Sequence, residues 1–162
     1  MTPTPHTIDD FPELQPGDVL LDCSRSLIGW AIRFRTWSDV EHVEVYLGEG
    51  RSVASRNGIG VGKYPLRIDG LVRVFRPVEN PDVIAGLLWF ADVDGLPYAW
   101  TDLLRFYGWA LDSAKGMICS QFADAFLRQC GVQLFNVQYP DGAVTPRDFE
   151  ITPGLQEIWR AK

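Results

Sequence analysis

Long apolar runs, an excess of basic charge and paired cysteine motifs are all missing from this sequence, and each absence removes a class of protein. The longest apolar stretch, residues 84–91, is interrupted by Gly86 and falls far short of the roughly 20 residues that span a bilayer. No stable membrane insertion is expected. The opening MTPTPHTIDDF carries no basic segment, apolar core or small-residue cleavage site, so no secretory signal is read. The expected location is cytoplasmic, with phage-type or secretion-system delivery as the routes to any target outside. Basic residues number 15 against 21 acidic, a net charge of −6. That balance argues against nucleic acid, whose binding needs clustered Lys and Arg to release counterions. The one local basic cluster, Arg25, Arg33 and Arg35, reads as the solvated face of a helix. Cysteine is scarce: Cys23, Cys119 and Cys130 are an odd number, with no CxxC and no histidine at zinc-ligand spacing. A disulfide scaffold and a structural metal are therefore not expected, and no cofactor is called for. Histidine is scarcer still, with only His6 and His42.

What is present is an ordinary globular composition, 46% apolar and 22% charged over 162 residues, which suits one domain. The Thr-Pro-rich start reads as a flexible tail over residues 1–13, and residues 14–162 as the single domain. A short strand at Asp18-Val-Leu-Leu precedes a helix with the stripe Leu27, Ile28, Ala31 and Ile32. In residues 42–47, Val43, Val45 and Leu47 alternate with His42, Glu44 and Tyr46, as a strand with one buried face requires. Gly48-Glu49-Gly50 marks a hairpin turn, residues 51–55 the return strand, and Asn57-Gly58 a second turn. Further strands are expected near 61–66 and 71–75. Asn80-Pro81 then caps a helix with the stripe Ile84, Leu87, Leu88 and Ala91. Another helix begins near Ala99 and carries Trp100, Leu103, Leu104, Tyr107 and Leu111. The last runs from about Met117 to Cys130 and stops at Gly131, after which the chain reads as loop. Strands gathered in the middle with helices to either side predict an α+β fold around a central antiparallel sheet, with the Cys119 helix packed on it.

Since His6 sits in the tail, Cys-His chemistry has to use His42. Cys119 is in the first turn of its helix, where unpaired backbone N–H groups and the positive dipole end favour a thiolate; Cys130 is at the opposite end. Cys119 also opens the stripe Phe122, Ala123, Phe126, Leu127 and Cys130, which equally describes an inert core cysteine.

Several segments resemble the NlpC-type papain-like cysteine hydrolases. EHVEVYLGEGR at 41–51 is similar to their histidine strand and hairpin, LQPGDVLL at 14–21 to the strand before it, LPYAWTDLL at 96–104 to the segment preceding the cysteine, and MICSQFADAFLRQCG at 117–131 to the nucleophile helix. Here the histidine precedes the cysteine by 77 residues. That order, together with SRSLIGWAIRFRTWSDVEHV at 24–43, resembles the circularly permuted branch, the YiiX-like proteins and their lecithin:retinol acyltransferase relatives.

The resemblance implies a permuted papain-like fold in which Cys119 attacks a carbonyl, His42 relays the proton and a third polar residue orients the imidazole. The family places that third residue twelve positions after the histidine, where this chain has Ala54. Asn57, free to fold back from the turn, or a backbone carbonyl near it is the first choice to replace it, Glu44 the second and water the third. The resemblance also places Asp22, Ser26, Tyr98 and Trp100 around the nucleophile as substrate-binding residues. The implied activity is hydrolysis of amide bonds in a small peptide or cell-wall fragment, as an endopeptidase or amidase of peptidoglycan-type peptide. A thioesterase or acyltransferase acting on lipid-linked substrates is the alternative, and an inactive binding module of the same fold a further one.

Overall fold

The computed structural model describes residues 11–23, 40–99, 116–136 and 144–161. Six strands form one sheet: β1 (Val19–Asp22), β2 (His42–Gly48), β3 (Arg51–Arg56), β4 (Gly60–Pro65), β5 (Leu71–Pro77) and β6 (Leu155–Arg160). Their order is β4-β3-β2-β1-β5-β6, and every neighbouring pair is antiparallel. Three helices accompany them among the described residues: α1 (Val83–Val93), α2 (Cys119–Gln129) and α3 (Pro146–Ile151). The architecture is α+β, and no described helix is long and apolar enough to cross a membrane.

Local chemistry sets the hairpins. At the β2–β3 turn Gly48, Glu49 and Gly50 have φ of 101°, 51° and 66°. Three successive left-handed residues are tolerable because two of them lack a Cβ. The second hairpin turns at Asn57 and Gly58 and aligns Arg56 with Gly60. The expected helices over Leu27–Ile32 positions and around Leu103, Leu104, Tyr107 and Leu111 lie outside the described residues, as does the Arg25, Arg33 and Arg35 cluster.

One face of the sheet meets α2. Val43, Val45 and Val53 pack with Phe122, Phe126 and Leu127, all at zero exposure. Ser55, on β3, donates to the Met117 carbonyl at 2.6 Å, pinning the chain two residues before Cys119 to the sheet. The opposite face holds a smaller cluster of Leu20, Leu71 and Val74, against which Phe11, Leu14 and Trp159 pack. The tail expected over residues 1–13 is thus packed from Phe11 onward: its ring lies edge-on to Trp159 at 5.2 Å, and the Glu13 carbonyl accepts from Arg76 at 3.0 Å.

Three other expectations change. The α1 cap is Asp82, whose Oδ1 accepts from Ala85 N–H at 3.1 Å, in place of Asn80. The inward face of α1 centres on Gly86 and Phe90, leaving Ile84 and Leu88 at 74% and 72% exposure. VIAGLLWFADV is apolar nearly all round, so periodicity does not select a face; the fit against α2 does. The segment after Gly131, read as loop, forms α3 and β6. Thr145 caps α3 through the Asp148 carboxylate, which accepts from Thr145 N–H at 2.6 Å and from its hydroxyl at 2.8 Å, with Pro146 in the first helical turn.

Gly86 is where α1 and α2 come closest. A Cβ built there would stand 2.4 Å from Cys130 Sγ and 2.9 Å from the Phe126 ring. Gly86→Ala gains up to about 1 kcal/mol of helix propensity but overpacks a tight contact at a cost of about 1–3 kcal/mol. A net loss is expected, read as a lower urea midpoint; an unchanged or higher midpoint would show that the two helices can separate freely.

Candidate active site

β2 begins where α2 begins, and the two chemistry-bearing residues meet there. Cys119 is the first residue of α2, preceded by Ile118, whose N–H is capped by Gln121 Oε1 at 3.0 Å. In the first turn no carbonyl four residues back exists to accept the Cys119 N–H, and the positive end of the helix lies beside the sulfur. The sulfur lies 4.0 Å from the Glu41 carbonyl oxygen, at the residue before His42. His42 lies close enough to Cys119 for the charge on the sulfur to act on it, and its Nε2 stands 3.1 Å from Glu44 Oε1.

Glu44 turns away from the Val43 and Val45 side of β2, as strand alternation requires. Its carboxylate is held by β3: Arg56 Nε donates to Oε1 at 2.8 Å, Arg56 Nη2 to Oε2 at 3.0 Å, and Ser52 Oγ to Oε2. Glu44 and Arg56 are 5% and 7% exposed, and the Arg56 guanidinium stacks 4.2 Å from the centre of the Tyr64 ring.

These contacts set the charges. Burial opposes the imidazolium form of His42, but the Cys119 negative charge and hydrogen bond, then Glu44, outweigh it and raise His42 to about 10. Burial likewise opposes ionised Glu44, yet hydrogen bonds from His42 and Arg56, the His42 charge and Ser52 lower it to about 2. Beside the sulfur the charges thus alternate: imidazolium, carboxylate, guanidinium. Burial first of all pushes the Cys130 thiol up to about 11, the opposite of activation.

Of the residues singled out in the sequence, the structure brings Cys119, His42 and Glu44 together. Asn57 does not hold the imidazole: it lies exposed in the β3–β4 turn, and Nε2 is met by Glu44 instead. The long Glu side chain spans the two-residue offset along β2, and β3 supplies donors to fix its end. Asp22 is paired with His42 across β1 and β2; burial raises its pKa, with the nearby Glu44 and Glu41 carboxylates adding to the rise while His42 and Arg56 oppose it. Tyr98 is buried, bridges to Met117, and is pushed up by burial and by the Cys119 charge. Ser26 and Trp100 lie outside the described residues. Ser52 and Arg56 went unread in the sequence. Their signal was parity: Ser52, Ala54 and Arg56 share one face of β3.

No protein-family model matches the sequence, and no curated protein matches it. Among solved structures the chain is similar to the metalloprotein YiiX from Escherichia coli O157:H7, with a TM-score of 0.66 and 17% identity over 91% of this chain and 97% of that one. The likeness is one of fold: the fold is YiiX-like.

The row of charges has a pH signature. A free Glu titrates near 4.5 and Glu44 in the fold near about 2, so Glu44 stabilises the fold fully above 4.5 and loses that contribution as pH falls through about 2. His42, held above its ordinary 6.5, stabilises below 6.5 and loses its contribution as pH rises through about 10. Glu44→Gln leaves Arg56 buried without its counter-charge and should cost about 3 kcal/mol at neutral pH. The gap to the unsubstituted protein, measured by urea unfolding, should close as the pH is lowered from 4.5 to 2. A gap independent of pH would mean that Glu44 acts by shape alone.

Proposed function

We propose that the protein is a cysteine hydrolase of amide bonds with a permuted papain-like fold, Cys119 as nucleophile and His42 as general acid and base. The observation that carries the reading is the placing of three groups: Cys119 at a helix N-terminus with its sulfur 4.0 Å from the carbonyl oxygen of Glu41, the residue before His42, and His42 with Nε2 3.1 Å from the buried Glu44 carboxylate. In the acylation step Cys119 Sγ bonds to the substrate carbonyl carbon, the C–N bond breaks, and His42 gives its proton to the departing amine. A water then attacks the thioester, His42 takes the proton from it, and the C–S bond breaks to return the thiolate and release the acid. The Cys119 N–H, in the first turn of α2, is a backbone donor that could serve a developing oxyanion. Peptidoglycan-type peptide is the substrate class supported by the sequence resemblance.

The structural neighbour is titled a metalloprotein. The donors of this site do not fit a metal. His42 Nε2 and both Glu44 oxygens already have partners within the protein, and no group of three His, Cys, Asp or Glu among the described residues is arranged to hold an ion. No step is routed through one.

One observation favours the second reading, an inactive binding module of the same fold: Cys119 is only 3% exposed. Alkylation separates the two. At neutral pH iodoacetamide should modify Cys119 at least about tenfold faster than a peptide thiol, since the unperturbed thiol is only a few per cent ionised, and faster than Cys23 or Cys130. Incubation with soluble cell-wall peptides, alongside thioester and lipid-ester panels, should release new amines by mass spectrometry. Cys119→Ala and His42→Ala should each abolish that release with the fold retained. A Cys119 no more reactive than Cys130, with no turnover on any panel, would establish the binding module.

A further inference from the structure

Arg56 makes or breaks no bond in the chemistry above, yet it is heavily engaged beside the site, through hydrogen bonds to Glu44 and Pro65 and a contact with the Tyr64 ring. We propose that Arg56 is a positioning residue: its planar fork fixes the Glu44 carboxylate at Nε2 of His42, and thereby fixes which ring nitrogen faces Cys119. The consequence for catalysis rests on the Cys119–His42 reading; the positioning itself does not.

Three features of the geometry carry the inference. The first is saturation. A carboxylate offers about four lone-pair sites, and here His42 and Arg56 Nε take Oε1 while Arg56 Nη2 and Ser52 take Oε2. The carboxylate cannot rotate without losing several bonds at once. The second is sharing. The oxygen that meets His42 is the one that meets Arg56 Nε, so the guanidinium plane sets the direction from which the imidazole is held. The third is that the fork is itself anchored. It lies over the Tyr64 ring at 4.2 Å, Nη2 also donates to the Pro65 carbonyl at 3.4 Å, and the Tyr64 hydroxyl donates to the Gly60 carbonyl at 2.6 Å. Both ends of β4 therefore hold the platform on which Arg56 rests.

A plain counter-charge would need only a cation. Positioning needs the fork, because a lysine ammonium is a point charge without the paired, coplanar donors of a guanidinium. That difference makes the inference testable with Arg56→Lys, which keeps charge and stem, beside Arg56→Gln, which removes the charge.

Two readouts apply to protein labelled with ¹⁵N in its histidine rings. The first is the Nε2–H cross-peak of His42, which a hydrogen bond to a fixed carboxylate moves downfield and shields from solvent exchange; with only His6 besides, His42→Ala assigns it. The second is the iodoacetamide rate at Cys119 at neutral pH. Expected is a protected cross-peak in the unsubstituted protein that is lost in both variants, with alkylation slowed about 10- to 100-fold, below the ~10⁴ associated with a wrong tautomer in such triads. A melting transition shows that each variant is folded; if Arg56→Gln is not, Arg56→Lys decides alone. The proposal is overturned if Arg56→Lys keeps the unsubstituted protein's cross-peak and alkylation rate, or if the unsubstituted protein shows no protected Nε2–H. A Cys119 no faster than a peptide thiol before any substitution defeats the hydrolase reading instead, and the cross-peaks still decide the role of Arg56.

Discussion

A carboxylate taken out of water must find its own partners, and the Glu44 carboxylate is the group around which the site is arranged. Leaving it unpaired would cost several kcal/mol, so its burial forces the burial of Arg56, and a buried guanidinium in turn requires a face to lie on, which Tyr64 provides. The chain of necessity runs outward from β2 through β3 to β4. It also runs inward: a carboxylate fixed from behind has one open direction, and His42 occupies it. The order of strands β4-β3-β2 is thus also the order in which charge is handed toward the sulfur.

Ala54 belongs to the same arrangement. It lies between Ser52 and Arg56 on one face of β3 and is wholly buried. The resemblance to NlpC-type enzymes leads one to look for a polar residue at that position. With a methyl there, the space between Ser52 and Arg56 is open to a side chain from β2, and Glu44 reaches both flanking residues. The small residue and the displaced carboxylate are two halves of one solution: a larger group at 54 would compete for the place that the Glu44 carboxylate now fills.

The legible parts of this protein were those governed by local rules. Alternation in HVEVYL and the glycines of LGEGR set β2, its turn and β3; the i, i+3, i+4 stripe from Cys119 to Cys130 set α2. His42 and Cys119 stood out by scarcity and by position on their elements. What escaped depends on partners remote in sequence. β6 is a strand because β5 offers an edge to pair with, and α1 chose its inward face by the contact of Gly86 with Cys130, not by hydrophobicity. Glu44 was ranked second to Asn57 because a strand carboxylate is ordinarily solvent-facing, and the residues that bury it, Ser52 and Arg56, are 8 and 12 positions away. α3 does carry a local signal, the Thr145, Pro146 and Asp148 cap.

The two buried cysteines of α2 show how far position alone separates function from packing. Both belong to the same apolar stripe, at 3% and 2% exposure, and composition cannot tell them apart. Cys119 stands at the end of the helix where N–H groups point outward, with an imidazolium beside it. Cys130 stands at the end where carbonyls point outward, packed against Gly86 and pushed up by burial. The second end, with burial, opposes the thiolate. The helix that carries both therefore gives its two thiols, through its direction, opposite electrostatic surroundings.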